Sequence, residues 1–323
     1  MEKQKKSNEK IKVEYSIVIP IYNEEGNIAQ LDREIKEVMS RISKNYETIY
    51  INDGSRDHSL EELKKLKNVK IINFTGNFGQ TSAFDAGFKA SQGEIIISMD
   101  GDLQNDPRDI PRLLRKLKQE DLDVVAGWRR HRRDKRGIRA LTVIGRKLRS
   151  FFLSDVVHDS GCALRVYRKE AIKSLDLWGE MHRYVTQLLK LKGFRVGELE
   201  INHRPRIHGQ TKYGYGKAVR GFIDLLHIWF LQKYSQRPLH MFGTIGLTSA
   251  FFGVFALANS IYHKIFHGQS LNSDGWFFLG FFLILTGIML FSFGLIIDLL
   301  IRIQQLVSPY TKRYYVRDVF DNK

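Results

Sequence analysis

The stretch IIISMDGDLQNDP, residues 95–107, begins as an apolar run and ends with Asp100, Asp102, Gln104 and Asp106 inside seven positions. Asp100 and Asp102 are separated only by the small Gly101, so both carboxylates can turn toward one hard divalent cation. Gln104 can add an amide oxygen, and phosphate oxygens of a ligand would complete an octahedron. An Asp-x-Asp turn is also common as a solvated loop, so by itself the pattern is weak. It has company in PIYNEEGN (20–27) and NDGSRD (52–57), each again a polar cluster directly after an apolar run.

The elements needed to position these clusters are visible as an alternation. VEYSIVI, ETIYIND, VKIINF, EIIISMD and LDVVAG read as short apolar strands, and EGNIAQLDREIKEVMSRI and PRDIPRLLRKLKQ carry apolar residues at three and four spacing, as helices do. Continuously apolar strands alternating with helices predict an α/β domain whose mainly parallel sheet is covered on both faces. Ligands in such sheets bind at the carboxyl ends of strands, which would bring Glu24, Asp53, Asp100 and Asp102 to one rim. The apolar run before Asp100 is then a rigid buried post whose tip can hold a metal against a substrate's phosphates.

A second segment follows. Met241–Ile261 and Gly275–Ile297 contain no Asp, Glu, Lys or Arg, and each is long enough to cross a bilayer as a helix. Lys217, Arg220, Lys233 and Arg237 precede the first run, and Arg302, Lys312, Arg313 and Arg317 follow the second, while the connection HKIFHGQSLNSD has one full positive charge, Lys264. The bias places both ends in the cytosol. The polar start MEKQKKSNEK lacks an apolar core, so it reads as a disordered tail and not a signal peptide. The expected organisation is a basic tail (1–11), a cytosolic α/β domain (12–215), an interfacial amphipathic helix (216–237), a transmembrane hairpin (238–302) and a cytosolic tail (303–323).

With 51 Lys and Arg against 35 Asp and Glu, the net charge of +16 calls for an anionic partner. The membrane runs favour lipid headgroups and phosphorylated small molecules over nucleic acid. Cys162 is the sole cysteine, which excludes an internal disulfide and a thiolate zinc cluster.

SIVIPIYNEEGNI, INDGSRDHS, MDGDLQNDP and DSGCALRVYRKE, in that order, resemble the family 2 glycosyltransferases of GT-A (Rossmann-like) fold, and most of all the polyprenyl-phosphate glycosyltransferases. RPRIHGQTKYG and the two apolar runs extend the likeness to nearly the whole chain. The resemblance implies that Pro20, Tyr22, Glu24, Ile51 and Asp53 line the pocket for the base and ribose of a UDP or GDP sugar. Asn23 and Asp53 can equally tie a turn or cap a helix, as can Ser55. Asp100, with Gly101 beside it, Asp102 and Gln104 are implied to bind Mg²⁺ or Mn²⁺ together with the donor diphosphate. Arg206 and Lys212, in the segment resembling the family's basic signature, are implied to grip that diphosphate.

Asp159 falls where the family pattern has an acidic residue near sugar and acceptor. It can act as a base, but a lipid monophosphate with a second pKa of about 6 is already anionic at neutral pH, so positioning is the larger expected task. Cys162 reads as a packing residue. Between Arg129 and Arg149 stand ten Lys and Arg against one Asp, with Ile138, Leu141, Ile144, Leu148, Phe151 and Phe152 at helical spacing. This predicts an amphipathic helix on an anionic membrane, and GKAVRGFIDLLHIWFLQKYS predicts another. Arg129 and Arg146 are expected on the acceptor phosphate. His182 and Arg183 stand either over the site, with Arg183 a third acceptor contact, or on a helix surface.

The implied reaction is one inverting transfer of a sugar to polyprenyl phosphate on the cytosolic face of a bacterial plasma membrane. Homo-oligomeric assembly is compatible with the sequence. A processive polysaccharide synthase would carry Gln-x-x-Arg-Trp, yet none of Trp128, Trp178, Trp229 or Trp276 follows an Arg. A non-catalytic scaffold for polyanions would have no use for Asp100 and Asp102.

Overall fold

The computed structural model describes residues 13–130, 157–177, 179–205, 229–230, 233–234, 237–268, 270–271 and 274–307, the side chains of 304–307 excepted. Most of the interfacial segment 216–237, most of the tails and most of the basic segment, Arg146 included, lie outside these residues, as do Arg206 and Lys212.

Strands β1 (Tyr15–Ile21), β2 (Tyr46–Asn52), β3 (Val69–Asn73), β4 (Ile95–Ser98), β5 (Val124–Trp128), β6 (Arg165–Arg168) and β7 (Val196–Glu200) form one sheet of order β3-β2-β1-β4-β6-β5-β7. β6 alone among them runs antiparallel, pairing with β4 and β5. The mainly parallel sheet is as expected, but the antiparallel strand was not distinguished in the sequence. Its reversal matters, because it puts the segment before β6 at the edge where β4 and β5 end.

The two-residue pleat divides the core cleanly. Ile17, Ile19 and Ile21 of β1 face α1 (Ile28–Ser40) through Leu31, Ile35 and Met39, and α4 (Ile110–Gln119) through Leu113, Leu114 and Leu117. Val18, Ile49, Ile51 and Ile96 point the other way, onto Ala83, Phe84 and Phe88 of α3 (Gln80–Ala90), Ile172 of α5 (Lys169–Lys173), and Val185 and Leu189 of α6 (Val185–Leu191). Helix α2 (Ser59–Lys65) joins β2 to β3. Because both faces of the central strands are covered, their polar backbone is satisfied within the sheet and polar side chains are left for the strand ends.

By contact the chain divides into two compact units, residues 1–222 and 223–323. The second contains α7 (Pro238–His267) and α8 (Gly275–Val307), both long and apolar enough to cross a membrane. They extend beyond the expected spans of 241–261 and 275–297 at one or both ends. The two helices meet through small residues: a Cβ on Gly253 would stand 2.7 Å from the carbonyl oxygen of Gly280, and one on Gly246 2.6 Å from that of Gly287. Between these crossings the Ser249 hydroxyl donates to the Leu283 carbonyl at 2.8 Å. Phe251, Phe252, Phe255, Phe281 and Phe282 face outward and are exposed.

Candidate active site

The clusters read from the sequence do meet at the carboxyl edge. Pro20 of β1 pairs with Ile51 of β2, and the Asp53 N–H donates to the Ile21 carbonyl at 2.9 Å, so the chain after β1 and the chain after β2 leave side by side. Asn23, at φ 57°, ties them: its N–H donates to Ser55 Oγ at 3.0 Å and its Oδ1 accepts from the Arg56 N–H at 2.8 Å. Ser55 in turn donates to Asn52 Oδ1 at 2.6 Å. Glu24 is half-buried, its N–H on Ser59 Oγ at 2.9 Å and its carboxylate accepting from Asn27 Nδ2. Tyr22 is half-buried on the same rim.

Asp53 is buried, and its two oxygens accept the backbone N–H groups of Phe78 at 2.7 Å and Gly79 at 2.9 Å. Burial raises its pKa and these two donors pull it back. Its carboxylate thus holds the start of α3 against the end of β2. Of the two roles open to Asp53 in the sequence, this geometry realises the turn-tying one, and it leaves the residue on the rim implied for the nucleotide.

Past β4 the chain makes the acidic turn. A Cβ on Gly101 would meet Ile21 Cδ1 at 2.6 Å and the Pro20 carbonyl at 3.1 Å, so glycine lets this turn lie close against β1. The Asp100 N–H donates to the buried Asn105 Oδ1 at 3.2 Å, and the Gln104 N–H donates to Asp102 Oδ1 at 3.1 Å. Gln80, the first residue of α3, donates its side-chain amide to Asp100 Oδ1 at 2.7 Å. Burial, and next the charge of Asp102, push the pKa of Asp100 up to about 7.

The third contribution comes from β5 and the turn before β6. Arg129, the residue after β5, donates Nε to Asp159 Oδ2 at 2.7 Å and Nη2 to Oδ1 at 3.1 Å. Burial alone would lower the pKa of Arg129, but the hydrogen bonds and charge of Asp159 raise it. Glu198 of β7 accepts the N–H groups of His158 and Asp159 at 2.8 and 3.2 Å, fixing that turn. Arg165, fully buried at the start of β6, donates to the carbonyls of Ser160 at 2.6 Å and His182 at 3.0 Å. Arg129 and Arg165 both lie close enough to lower the pKa of Asp100 electrostatically. Burial pushes the Cys162 thiol up to about 12, which makes it inert packing as expected.

The Glycosyl transferase family 2 profile matches residues 16–176. The chain is 32% identical to a dodecaprenyl-phosphate galacturonate synthase of Rhizobium johnstonii, with 96% of this chain and 94% of the relative covered. It is 32% identical to an undecaprenyl-phosphate 4-deoxy-4-formamido-L-arabinose transferase of Shewanella sediminis, covering 94% and 92%. The chain belongs to glycosyl transferase family 2. Among solved structures, glucosyl-3-phosphoglycerate synthase of Mycobacterium tuberculosis with Mn²⁺, UDP and phosphoglyceric acid superposes with a TM-score of 0.54 at 18% identity, over 67% of this chain and 78% of that one. Mannosyl-3-phosphoglycerate synthase of Rubrobacter xylanophilus gives 0.55 at 14% identity, over 68% and 75%. These two likenesses are of fold, the GT-A fold expected.

In this glycosyltransferase the donor set of the acidic turn suits a hard divalent cation. Two carboxylates flank one glycine, and the charge of Asp102 disfavours that of Asp100, which a hard divalent cation would relieve. Among the described residues no three His, Cys, Asp or Glu side chains gather around one point. Two aspartates therefore bind a cation well only with further oxygens, from Gln104 or from a phosphate-bearing ligand.

Arg183 is exposed and paired with Glu180 at 3.2 Å. Its neighbour His182 is half-buried, with Nδ1 2.6 Å from Thr81 Oγ1, and burial followed by the charges of Arg183 and Arg165 pushes its pKa down to about 3. Gln80, Thr81, Asn105, Arg165 and Glu198 were not singled out in the sequence. A signal existed for the first two: NFGQT stands at the end of a strand and the start of a helix, as the other three clusters do. Phe78 of that segment is 62% exposed.

Proposed function

We propose that the protein transfers one sugar, with inversion, from a nucleoside diphosphate sugar to a polyprenyl phosphate at a membrane. The observation that carries this is the end-to-end match to two relatives whose names each join a polyprenyl phosphate to a single sugar. The match spans the C-terminal apolar helices as well as the sheet. A processive synthase has less support, since the Gln-x-x-Arg-Trp pattern is missing.

A lipid phosphate oxygen attacks the anomeric carbon; the new O–C bond forms as the bond to the diphosphate breaks, and the nucleoside diphosphate leaves. Pro20, Tyr22, Asn23 and Glu24 line the pocket for the base and ribose of UDP or GDP, with the buried Ile51 and the backbone-bound Asp53 supporting it from behind. Asp100 and Asp102, with Gln104, hold Mg²⁺ or Mn²⁺, which when bound neutralises charge on the departing diphosphate. Arg206 and Lys212 share that task. The chain leading to them is stitched to the acidic turn: the Arg204 N–H donates to the Gln104 carbonyl at 3.0 Å, and the Arg204 guanidinium bridges Glu34 and Asp106, each at 2.6 Å.

Arg129, Arg146 and Arg183 receive the acceptor phosphate. Because both oxygens of Asp159 accept from Arg129, Asp159 acts by positioning that cation, and the attacking phosphate, with a second pKa of about 6, needs no strong base. Residues 12–215 work in the cytosol, 216–237 lie in the interface, and 238–302 anchor the enzyme in a bacterial plasma membrane with both ends inside.

The test is to incubate membranes containing the protein with a panel of UDP and GDP sugars and undecaprenyl phosphate. The expected product is a lipid-linked monosaccharide formed with one of them. Free sugar or polymer in its place would sink the reading.

A further inference from the structure

An exposed glutamine at the first position of a helix normally keeps its amide in water. Gln80 does not. Its side chain crosses from α3 to the turn after β4 and donates to Asp100 Oδ1 at 2.7 Å. The amide nitrogen must face Asp100, since the amide oxygen there would oppose a carboxylate. Among the described residues no other side chain hydrogen-bonds the Asp100 carboxylate. The position of Gln80 is itself held at two points. Asp53 grips the N–H groups of Phe78 and Gly79 just before it, and Thr81 just after it contacts His182 at 2.6 Å. Gly79 adopts φ 90° and ψ 158°, a conformation available to glycine alone, which sets the direction in which α3 starts.

We infer that Gln80 is a positioning residue for the metal-binding carboxylate: it fixes the rotation of Asp100 and so presents the carboxylate to the cation before the donor diphosphate arrives. The contact also joins the rim assigned to the nucleotide, through Asp53, to the cation's carboxylate, through one short stretch of backbone. A preorganised carboxylate binds a cation more tightly than one that must give up its rotational freedom.

This inference rests on the proposed cation site at Asp100 and Asp102, and the experiment separates the two. Mn²⁺ is titrated into the purified full chain with saturating UDP, and in parallel with GDP, and free Mn²⁺ is read by electron paramagnetic resonance. Gln80→Leu, close in volume and without a donor, is compared with the wild type and with Asp100→Asn. The side chain is exposed, so the fold tolerates the change, and the thermal midpoint serves as a control. The expected result is an Mn²⁺ affinity about tenfold weaker in Gln80→Leu, the size of one charge-assisted hydrogen bond. Nucleotide affinity without metal should stay unchanged, and kcat should return when Mn²⁺ is raised about tenfold. Equal Mn²⁺ affinity in Gln80→Leu and the wild type, with Asp100→Asn impaired, overturns the role of Gln80 and leaves the cation site standing. A metal-free nucleotide affinity that falls as much as the Mn²⁺ affinity also overturns it, making Gln80 a nucleotide contact. Mn²⁺ binding that is absent from the wild type, or untouched by Asp100→Asn, overturns the cation site and this inference with it.

Discussion

Arg129 and Asp159, thirty residues apart in the chain, meet in a two-point ion pair at 2.7 and 3.1 Å, each no more than 9% exposed. The pair joins the end of β5 to the turn before β6, so it is both a structural clasp and the fixed cation of the proposed acceptor site. Removing one partner of such a pair strands a buried charge at a cost of about 3–5 kcal/mol. Asp159→Asn and Arg129→Ala should each lower thermal stability strongly, and the double variant should lose far less than their sum. A double-mutant cycle on the purified protein measures this coupling, and additive losses would show the pair to be worth little.

Asp100→Asn and Asp102→Asn should each abolish transfer while leaving the thermal midpoint within a few degrees, because the loss falls on the cation and not on the core. Activity in the wild type should vanish with chelator and return with Mg²⁺ or Mn²⁺. Full activity in chelator contradicts the assignment.

His182 carries a pH dependence of definite sign. Its folded pKa, about 3, lies below its ordinary 6.5, so below pH 6.5 the unfolded chain binds a proton that the folded chain does not. Stability is unaffected above that value and falls by up to about 1.4 kcal/mol per pH unit between 6.5 and 3. Thermal midpoints of the wild type and His182→Gln at pH 7.5 and pH 5 should diverge on acidification, the variant falling less. Parallel curves would mean that His182 takes up a proton in the folded state.

The contact between α7 and α8 has no room at Gly253, where even a Cβ would lie 2.7 Å from the Gly280 carbonyl and 2.8 Å from the Ile284 nitrogen. Gly253→Leu should force the helices apart, while Phe252→Leu, on an exposed position of the same helix, should be tolerated. Cross-linking of a cysteine pair placed at Ser249 and Leu283, which meet across the two helices without a glycine at either position, reports the separation. Equal cross-linking in both backgrounds would rule out this packing.

Topology follows from charge. A cysteine at Ser270, in the connection with a single lysine, should react with an impermeant thiol reagent in intact cells, and one in the basic tail after residue 303 should not. Labelling of the tail alone would invert the orientation.

The sequence by itself determined the sheet and its cover, the acidic rim and the apolar hairpin. Each is written in local pattern: apolar runs such as IIIS report a strand buried on both faces, three-and-four spacing reports a helix face, and a polar cluster after a strand reports a rim. The same sequence left open what the polar groups on that rim bind. Asp53 could face a nucleotide or the backbone, and only the fold brought Phe78 and Gly79 to its oxygens. Asp100 looked like half of an isolated cation site until α3 delivered Gln80 from twenty residues upstream. Arg129 was one basic residue among ten until the antiparallel β6 carried Asp159 to the edge where β5 ends. Burial is a property of neighbours along the chain and shows as periodicity, whereas hydrogen-bond partnership depends on strand order and direction, which set distances between residues far apart in sequence.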